Sequence, residues 1–184
     1  MISQKRITSN NRVIEIYDDV FPQYLRSHHL NFIQNSLYTL NDSSSSGTFW
    51  QLKEKFFRCI FTQNDLNNFK FESDFISKKL MGYEIKNCWT LASSPLSTYY
   101  YHTDSLEDSD EITVLYYVNT RWDKNWGGET LFSNDLGECE IAVEYKPGRI
   151  VIFDSAIEHK PSHISMQADE FRFIFVLQLR KNNL

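Results

Sequence analysis

Residues 99–104 read Tyr99-Tyr100-Tyr101-His102-Thr103-Asp104, and much farther along the chain stands His159. In an extended segment successive side chains alternate between faces, so His102 and Asp104 point the same way. Two groups so placed can grip one face of a metal ion, and a ligand from a distant strand completes a triangle. His159 follows the apolar run 149–154 after a short loop and is the candidate for the third position, with His163 a nearby rival. An H-x-D pair alone is a weak signal, since a strand-end histidine beside a loop aspartate is the ordinary arrangement. Here its place at a strand end, His159 just after another strand, and Arg172 inside a third strengthen it.

Outward from this stretch the chain reads as strands. Residues 83–91, 96–102, 112–118 (ITVLYYV), 129–132, 139–145, 149–154 and 171–179 (FRFIFVLQL) carry β-branched and aromatic runs. Between them lie a small-residue turn at 92–95, an acidic loop at 105–111, and a loop at 119–128 with Trp122, Trp126 and Gly127-Gly128. Lys146-Pro147-Gly148 suits a type II turn. Upstream, 13–17 is a short strand, and Asp18-Asp19-Val20-Phe21-Pro22 reads as a helix start. Phe21, Leu25, Leu30, Ile33 and Leu37 then recur at helical spacing. The paired His28 and His29 fall on this helix without an i+4 partner, and read as helix surface. Residues 41–47 (NDSSSSG) are a polar loop, and Phe49, Trp50 and Leu52 begin a more ordered segment. A second helix is expected over 64–80, with Leu66, Phe69, Ile76 and Leu80 on one face and Phe71 and Phe75 pointing nearly the opposite way.

This pattern predicts a mainly β fold, a double-stranded β-helix (jelly roll) core with helices packed on one side. It is expected to be one domain over 1–184, with 1–82 a mainly helical support layer and 83–184 the β core that carries the site.

Composition narrows the function. The net charge of −5 opposes a broad basic nucleic-acid surface. Cys59, Cys88 and Cys139 are odd in number and widely spaced, which is no disulfide framework and suits a reducing, cytoplasmic setting. The polar stretch 1–11 lacks the apolar region of a secretory signal, and no apolar run reaches membrane-spanning length. Oligomeric state is not legible.

Two histidines and a carboxylate on one face are the facial triad of non-haem Fe(II) oxygenases, which leaves other positions open. Such chemistry draws two electrons from a co-substrate. A dicarboxylic 2-oxo acid chelates iron at one end, and its far carboxylate needs a fixed cation. Arg172 suits that role by its planar fork, whereas a solvated strand arginine is the default. Ile174, Val176 and Gln178 share its face by alternation.

At this point a resemblance enters. YHTD at 101–104, TVLYYVN at 113–119, WDKNWGGETLF at 122–132, PGRIVIFDS at 147–155, HKP at 159–161 and RFIF at 172–175 are together similar to the 2-oxoglutarate/Fe(II)-dependent dioxygenases. The pattern is nearest the prolyl-4-hydroxylase-like branch, and covers residues 96–179. The resemblance implies that His102, Asp104 and His159 bind iron. It implies that Arg172 holds the C5 carboxylate of 2-oxoglutarate, and that Tyr117 hydrogen-bonds this co-substrate. It also implies that Gly127-Gly128-Glu129-Thr130 is the turn before a strand that closes the site. Two features depart from it: Arg172 lies farther beyond His159 than in most relatives, and Ile174 and Val176 stand where a hydroxyl residue is frequent.

The implied activity is hydroxylation of an unactivated C–H bond with Fe(II), 2-oxoglutarate and O2. A prolyl residue of a peptide or protein is the first expected substrate; a free amino acid or other small metabolite is the alternative. A cupin-like protein holding a metal without redox chemistry is the rival class, and Arg172 discriminates against it. No nucleic-acid or membrane partner is expected. Trp122 and Trp126 are expected to pack their loop down rather than stack on substrate.

Overall fold

The computed structural model describes residues 2–44, 53–106 and 109–182. Two antiparallel sheets face each other as a jelly roll, and the helices cover the outside of the larger one. The larger sheet begins with β1 (Ile2–Ile7) and β2 (Val13–Asp18) from the N-terminal segment. It also takes β3 (Thr39–Ser44), β4 (Lys53–Ile60), β5 (Tyr83–Ser93) and β6 (Glu111–Tyr117). β7 (Thr130–Ser133), β8 (Cys139–Val143) and β10 (His159–Pro161) form the smaller sheet, while β9 (Ile150–Asp154) and β11 (Arg172–Lys181) complete the larger. The strand orders are β1-β2-β9-β6-β11-β5-β4-β3 and β10-β7-β8.

β11 explains the layering. It is hydrogen-bonded to β5 on one side and β6 on the other. Its alternate residues Phe173, Phe175, Leu177 and Leu179 enter the core beneath the helices. Ile174 and Val176 face the smaller sheet and join Tyr117, Phe132, Val151 and Phe153 in a second core. A strand buried on both faces reads as a near-continuous apolar run, as RFIFVLQL does.

The N-terminal part differs from its expected helical character. Residues 2–82 supply four strands beside α1 (Gln23–Gln34), α2 (Gln63–Phe69) and α3 (Asp74–Lys79). The polar and charged residues of β1 and β3 sit on outer strands, where apolar patterning is weak. The expected helix 64–80 breaks in two. Thr62 and Asp65 form a capping box, Lys70 ends α2 in the left-handed region at φ 59°, and Ser73 caps α3. The break lets Phe69 and Phe71 both point into the core, their rings stacked at 6.1 Å. Asp18 does not start a helix. It ends β2, 4% exposed, and accepts hydrogen bonds from Arg149 at 2.8 and 3.1 Å and from Lys146 at 2.9 Å. Burial alone would raise the Asp18 carboxyl, but these two cations outweigh it and hold the pKa below its usual value.

Residues 41–44 of the expected polar loop lie in β3; the rest of that loop, with Phe49, Trp50 and Leu52, lies outside the described residues. Residues 96–102 do not form the expected strand. They cross the sheet ends as irregular chain with isolated bridges at Thr98–Lys55 and His102–His159. No helix among the described residues is long and apolar enough to cross a membrane.

Candidate metal and co-substrate site

The backbone itself brings the two distant histidines together. His102 and His159 exchange hydrogen bonds, from His102 N to His159 O at 3.1 Å and from His159 N to His102 O at 2.9 Å. Asp104 N donates to Ser155 O at 2.8 Å, which pins the aspartate to the end of β9. The result is a cluster in which one donor atom each from His102, Asp104 and His159 lies within 4.8 Å of the others. His102 Nε2 stands 3.9 Å from one carboxylate oxygen of Asp104, and His159 Nε2 stands 3.7 Å from the other.

The hydrogen bonds around the cluster fix which atoms face its centre. His102 Nδ1 lies 3.0 Å from Tyr100 O and His159 Nδ1 lies 2.9 Å from Ile157 O. A carbonyl oxygen only accepts, so each Nδ1 carries the proton and each Nε2 presents a lone pair. His159 is 5% exposed and sits against Phe132 and Phe153. Burial pushes its pKa down to about 4 against the pull of the Asp104 charge, so it is neutral at pH 7. Asp104 accepts from Thr113 Oγ1 at 2.6 Å, and Thr113 Oγ1 is 2.9 Å from Ser155 Oγ. This donor set, two imidazoles presenting Nε2 and one oriented carboxylate, fits a divalent iron.

Arg172 closes the other side of the cavity. It is 1% exposed, and its Nε donates to Gly128 O at 2.8 Å. Its two terminal nitrogens are buried without a hydrogen-bond partner among the described residues. An unpaired buried guanidinium costs several kcal/mol, so the fork implies an anion in the functional state. The rings of Tyr145 and Tyr117 lie 5.0 and 5.8 Å from the guanidinium carbon. Gly127 and Gly128 make this packing possible at φ 70° and 85°: a Cβ on Gly128 would stand 3.0 Å from Arg172 Cδ, and one on Gly127 would stand 2.6 Å from His163 O. The fork thus fits the far carboxylate of a dicarboxylic co-substrate.

His102, Asp104, His159, Thr130 and Arg172 all line one cavity of about 300 Å³, with Ile174 and Val176 on its floor. Tyr117 is placed differently. It is fully buried, stacked on Tyr145, and its hydroxyl is 2.7 Å from Thr130 Oγ1, so Thr130 rather than Tyr117 reaches the cavity. Burial, opposed by the nearby Arg172 charge, raises the Tyr117 pKa. His163 is exposed and lies outside the cluster. Trp122 packs edge-on to Trp126 and donates to Gly127 O at 2.9 Å, so these tryptophans hold the loop down. His29 is not helix surface. It is fully buried beside Phe69, with one ring nitrogen 3.1 Å from Tyr116 Oη and the other 3.3 Å from Lys70 O.

Sequence reasoning overlooked Thr113, Ser155 and Thr130, whose only signal is a hydroxyl at an inward position of a strand or strand end. It also overlooked the aromatic wall of Phe56, Trp89 and Tyr99 and, beside it, Arg58.

The model of the 2OG-Fe(II) oxygenase superfamily matches residues 89–177. No curated protein matches the sequence. Among solved structures, a prolyl hydroxylase from Trichoplax adhaerens in complex with a hypoxia inducible factor peptide is similar at TM-score 0.67 and 15% identity, covering 91% of this chain and 83% of that one. A Pseudomonas putida prolyl-4-hydroxylase is similar at TM-score 0.62 and 16% identity, with 92% of each chain covered. HygX from Streptomyces hygroscopicus, bound to nickel, 2-oxoglutarate and hygromycin B, is similar at TM-score 0.64 and 8% identity, covering 93% of this chain and 83% of that one. At these identities the likeness is one of fold.

Proposed function

We propose that this chain, whose residues 89–177 match the model of the 2OG-Fe(II) oxygenase superfamily, hydroxylates an unactivated C–H bond by way of His102, Asp104, His159 and Arg172. The reading rests above all on one observation: two nitrogens of buried Arg172, without a hydrogen-bond partner among the described residues, share a cavity with the histidine–carboxylate cluster. A metal site without redox chemistry has no use for such a fork.

Iron, 2-oxoglutarate and O2 together supply the oxidant, with succinate and CO2 as co-products. The chain's own residues do the positioning. His102 and His159 offer Nε2 because backbone carbonyls hold the proton on Nδ1. Asp104 contributes the anionic donor, kept in orientation by the Thr113 hydroxyl. Arg172 sets the distance and direction of the co-substrate by pairing with its far carboxylate. Tyr117 acts on this pocket through Thr130. Ile174, Val176 and Leu115 make the cavity wall apolar and keep water from the reacting centre.

A prolyl residue of a peptide is the first substrate, supported by the likeness to prolyl hydroxylases, one of them holding a peptide. A free amino acid or other small metabolite is the second, favoured by the modest cavity and by the likeness to HygX with its small-molecule ligand. Free Cys59, Cys88 and Cys139 support a reducing, cytoplasmic setting. The chain reads as one domain, because the larger sheet draws strands from both ends of the sequence.

The test is consumption of 2-oxoglutarate with Fe(II) and O2 in the presence of a blocked prolyl peptide or of free L-proline. Succinate release, with the gain of one oxygen atom in either probe, supports hydroxylation and names the substrate class. Absence of 2-oxoglutarate consumption with and without every probe contradicts it.

A further inference from the structure

The cavity has a second cation. β4 turns Phe56 and Arg58 toward the cavity, while Cys59 on its other face packs under the helices. Arg58 pairs in register with Leu91, and Leu91 with Ile174, so Arg58 stands two strands from β11. At the usual spacing this is about 10 Å across the sheet. Arg58 is half-buried, and its guanidinium makes no ion pair or side-chain hydrogen bond among the described residues. Phe56 and Tyr99, stacked at 5.3 Å, and Trp89 line the cavity beside it.

We propose that Arg58 is a substrate-binding residue that pairs with a carboxylate on the molecule to be hydroxylated, so that the substrate is an organic acid with an apolar body. The proposal rests on the oxygenase reading above. Three observations carry it. An arginine fork on a cavity wall, without a partner among the described residues, is a site for a planar anion. The neighbouring aromatic rings offer an apolar surface for the rest of the substrate. Charge balance points the same way. With a divalent ion, the 2-oxoglutarate dianion, the Asp104 carboxylate and both guanidiniums present, one positive charge is left over. A single carboxylate neutralises it, whereas a phosphate dianion overshoots. The cavity of about 300 Å³ lies at the small end of ligand sites, which also favours a compact acid.

The carboxylate has two sources, a free small acid or the C-terminus of a peptide. Binding is measured by ligand-observed NMR on protein loaded with Mn(II) and 2-oxoglutarate without oxygen. The probes are N-acetyl-L-proline and N-acetyl-L-prolinamide, and an acetylated pentapeptide ending in proline as its acid and amide. The wild-type protein is expected to bind acid over amide by about tenfold or more, the scale of one charge-assisted pair. Arg58→Gln is expected to erase that preference and Arg58→Lys to keep part of it. A preference seen only with the single residue assigns a free acid; one seen with the pentapeptide assigns a C-terminus. Equal binding of acid and amide, or a preference that survives in Arg58→Gln, overturns the proposal. The Kd of 2-oxoglutarate, followed in the same samples, stays within twofold in the Arg58 variants and confirms that they are folded. Its insensitivity to Arg172→Ala would instead mark failure of the co-substrate reading.

Discussion

Arg172 and Gly128 are fitted to each other: the arginine Nε donates to the glycine carbonyl at 2.8 Å, and a Cβ on that glycine would stand 3.0 Å from Arg172 Cδ. Gly128 therefore aims the guanidinium as well as making room for it. Gly128→Ala is expected to misplace the fork and to strain a backbone held at φ 85°. The strain costs about 1–3 kcal/mol, and 2-oxoglutarate affinity falls by roughly tenfold or more. Thermal melting and a 2-oxoglutarate titration read the two effects separately. Unchanged affinity in a folded variant would contradict the fit.

Arg172→Ala tests the co-substrate anchor itself. The requirement for 2-oxoglutarate is expected to rise far more than that for iron, because the role proposed for the lost group is to pair with the carboxylate and not to bind the metal. Parallel titrations of the two in a turnover assay measure this. An unchanged dependence on 2-oxoglutarate moves the anchor elsewhere.

Thr113 donates to Asp104 at 2.6 Å from the buried face of β6. Thr113→Val keeps the shape and removes the hydrogen bond. Loss of such an orienting partner costs about 10–100-fold in metal affinity. Competition with a chromogenic chelator measures it, and wild-type affinity in the variant shows that Asp104 needs no support.

Asp104→Ala removes the one anionic donor of the cluster. Turnover is expected to vanish while the fold persists, since Asp104 N bonds Ser155 through its backbone. Activity near that of the wild type refutes the triad.

His29 makes stability depend on pH. Burial, opposed by its hydrogen bond to Lys70 O, pushes its pKa from 6.5 down to about 4. Below pH 6.5 the unfolded chain takes up a proton that folded His29 refuses until about pH 4. Stability contributed by this group is thus whole above 6.5 and is lost as pH falls toward 4, by on the order of 3 kcal/mol. Denaturant unfolding across this range is expected to show a shallower pH slope for His29→Gln than for the wild type. Equal slopes would sink the account.

The sequence disclosed the β-rich C-terminal region because its strands are buried on one or both faces, which leaves long apolar runs such as 112–118 and 171–179. It disclosed much less of the first 82 residues. There β1 and β3 are outer strands of polar composition, and β3 reads as a serine-rich loop. The helix expected over 64–80 looked continuous because apolar spacing spans the break, whereas the caps at Thr62 and Ser73 are local signals that periodicity ignores. His102, Asp104, His159 and Arg172 were legible as residue types in order, and all four reach one cavity. Tyr117 was legible only by resemblance, and its hydroxyl is engaged with Thr130. Arg58 gave no signal, because a single arginine in a strand of ordinary composition shows its purpose only once a cavity forms in front of it.

The most direct test of the central claim adds Fe(II) and 2-oxoglutarate to the metal-free protein in the absence of oxygen and records the visible spectrum. A weak charge-transfer band of a chelated Fe(II)–2-oxo acid complex, lost in His102→Ala, is the predicted result. Iron binding without that band would contradict the co-substrate reading in favour of a metal site without redox chemistry, and a band that persists in the variant would contradict the assignment of His102, Asp104 and His159 to the metal.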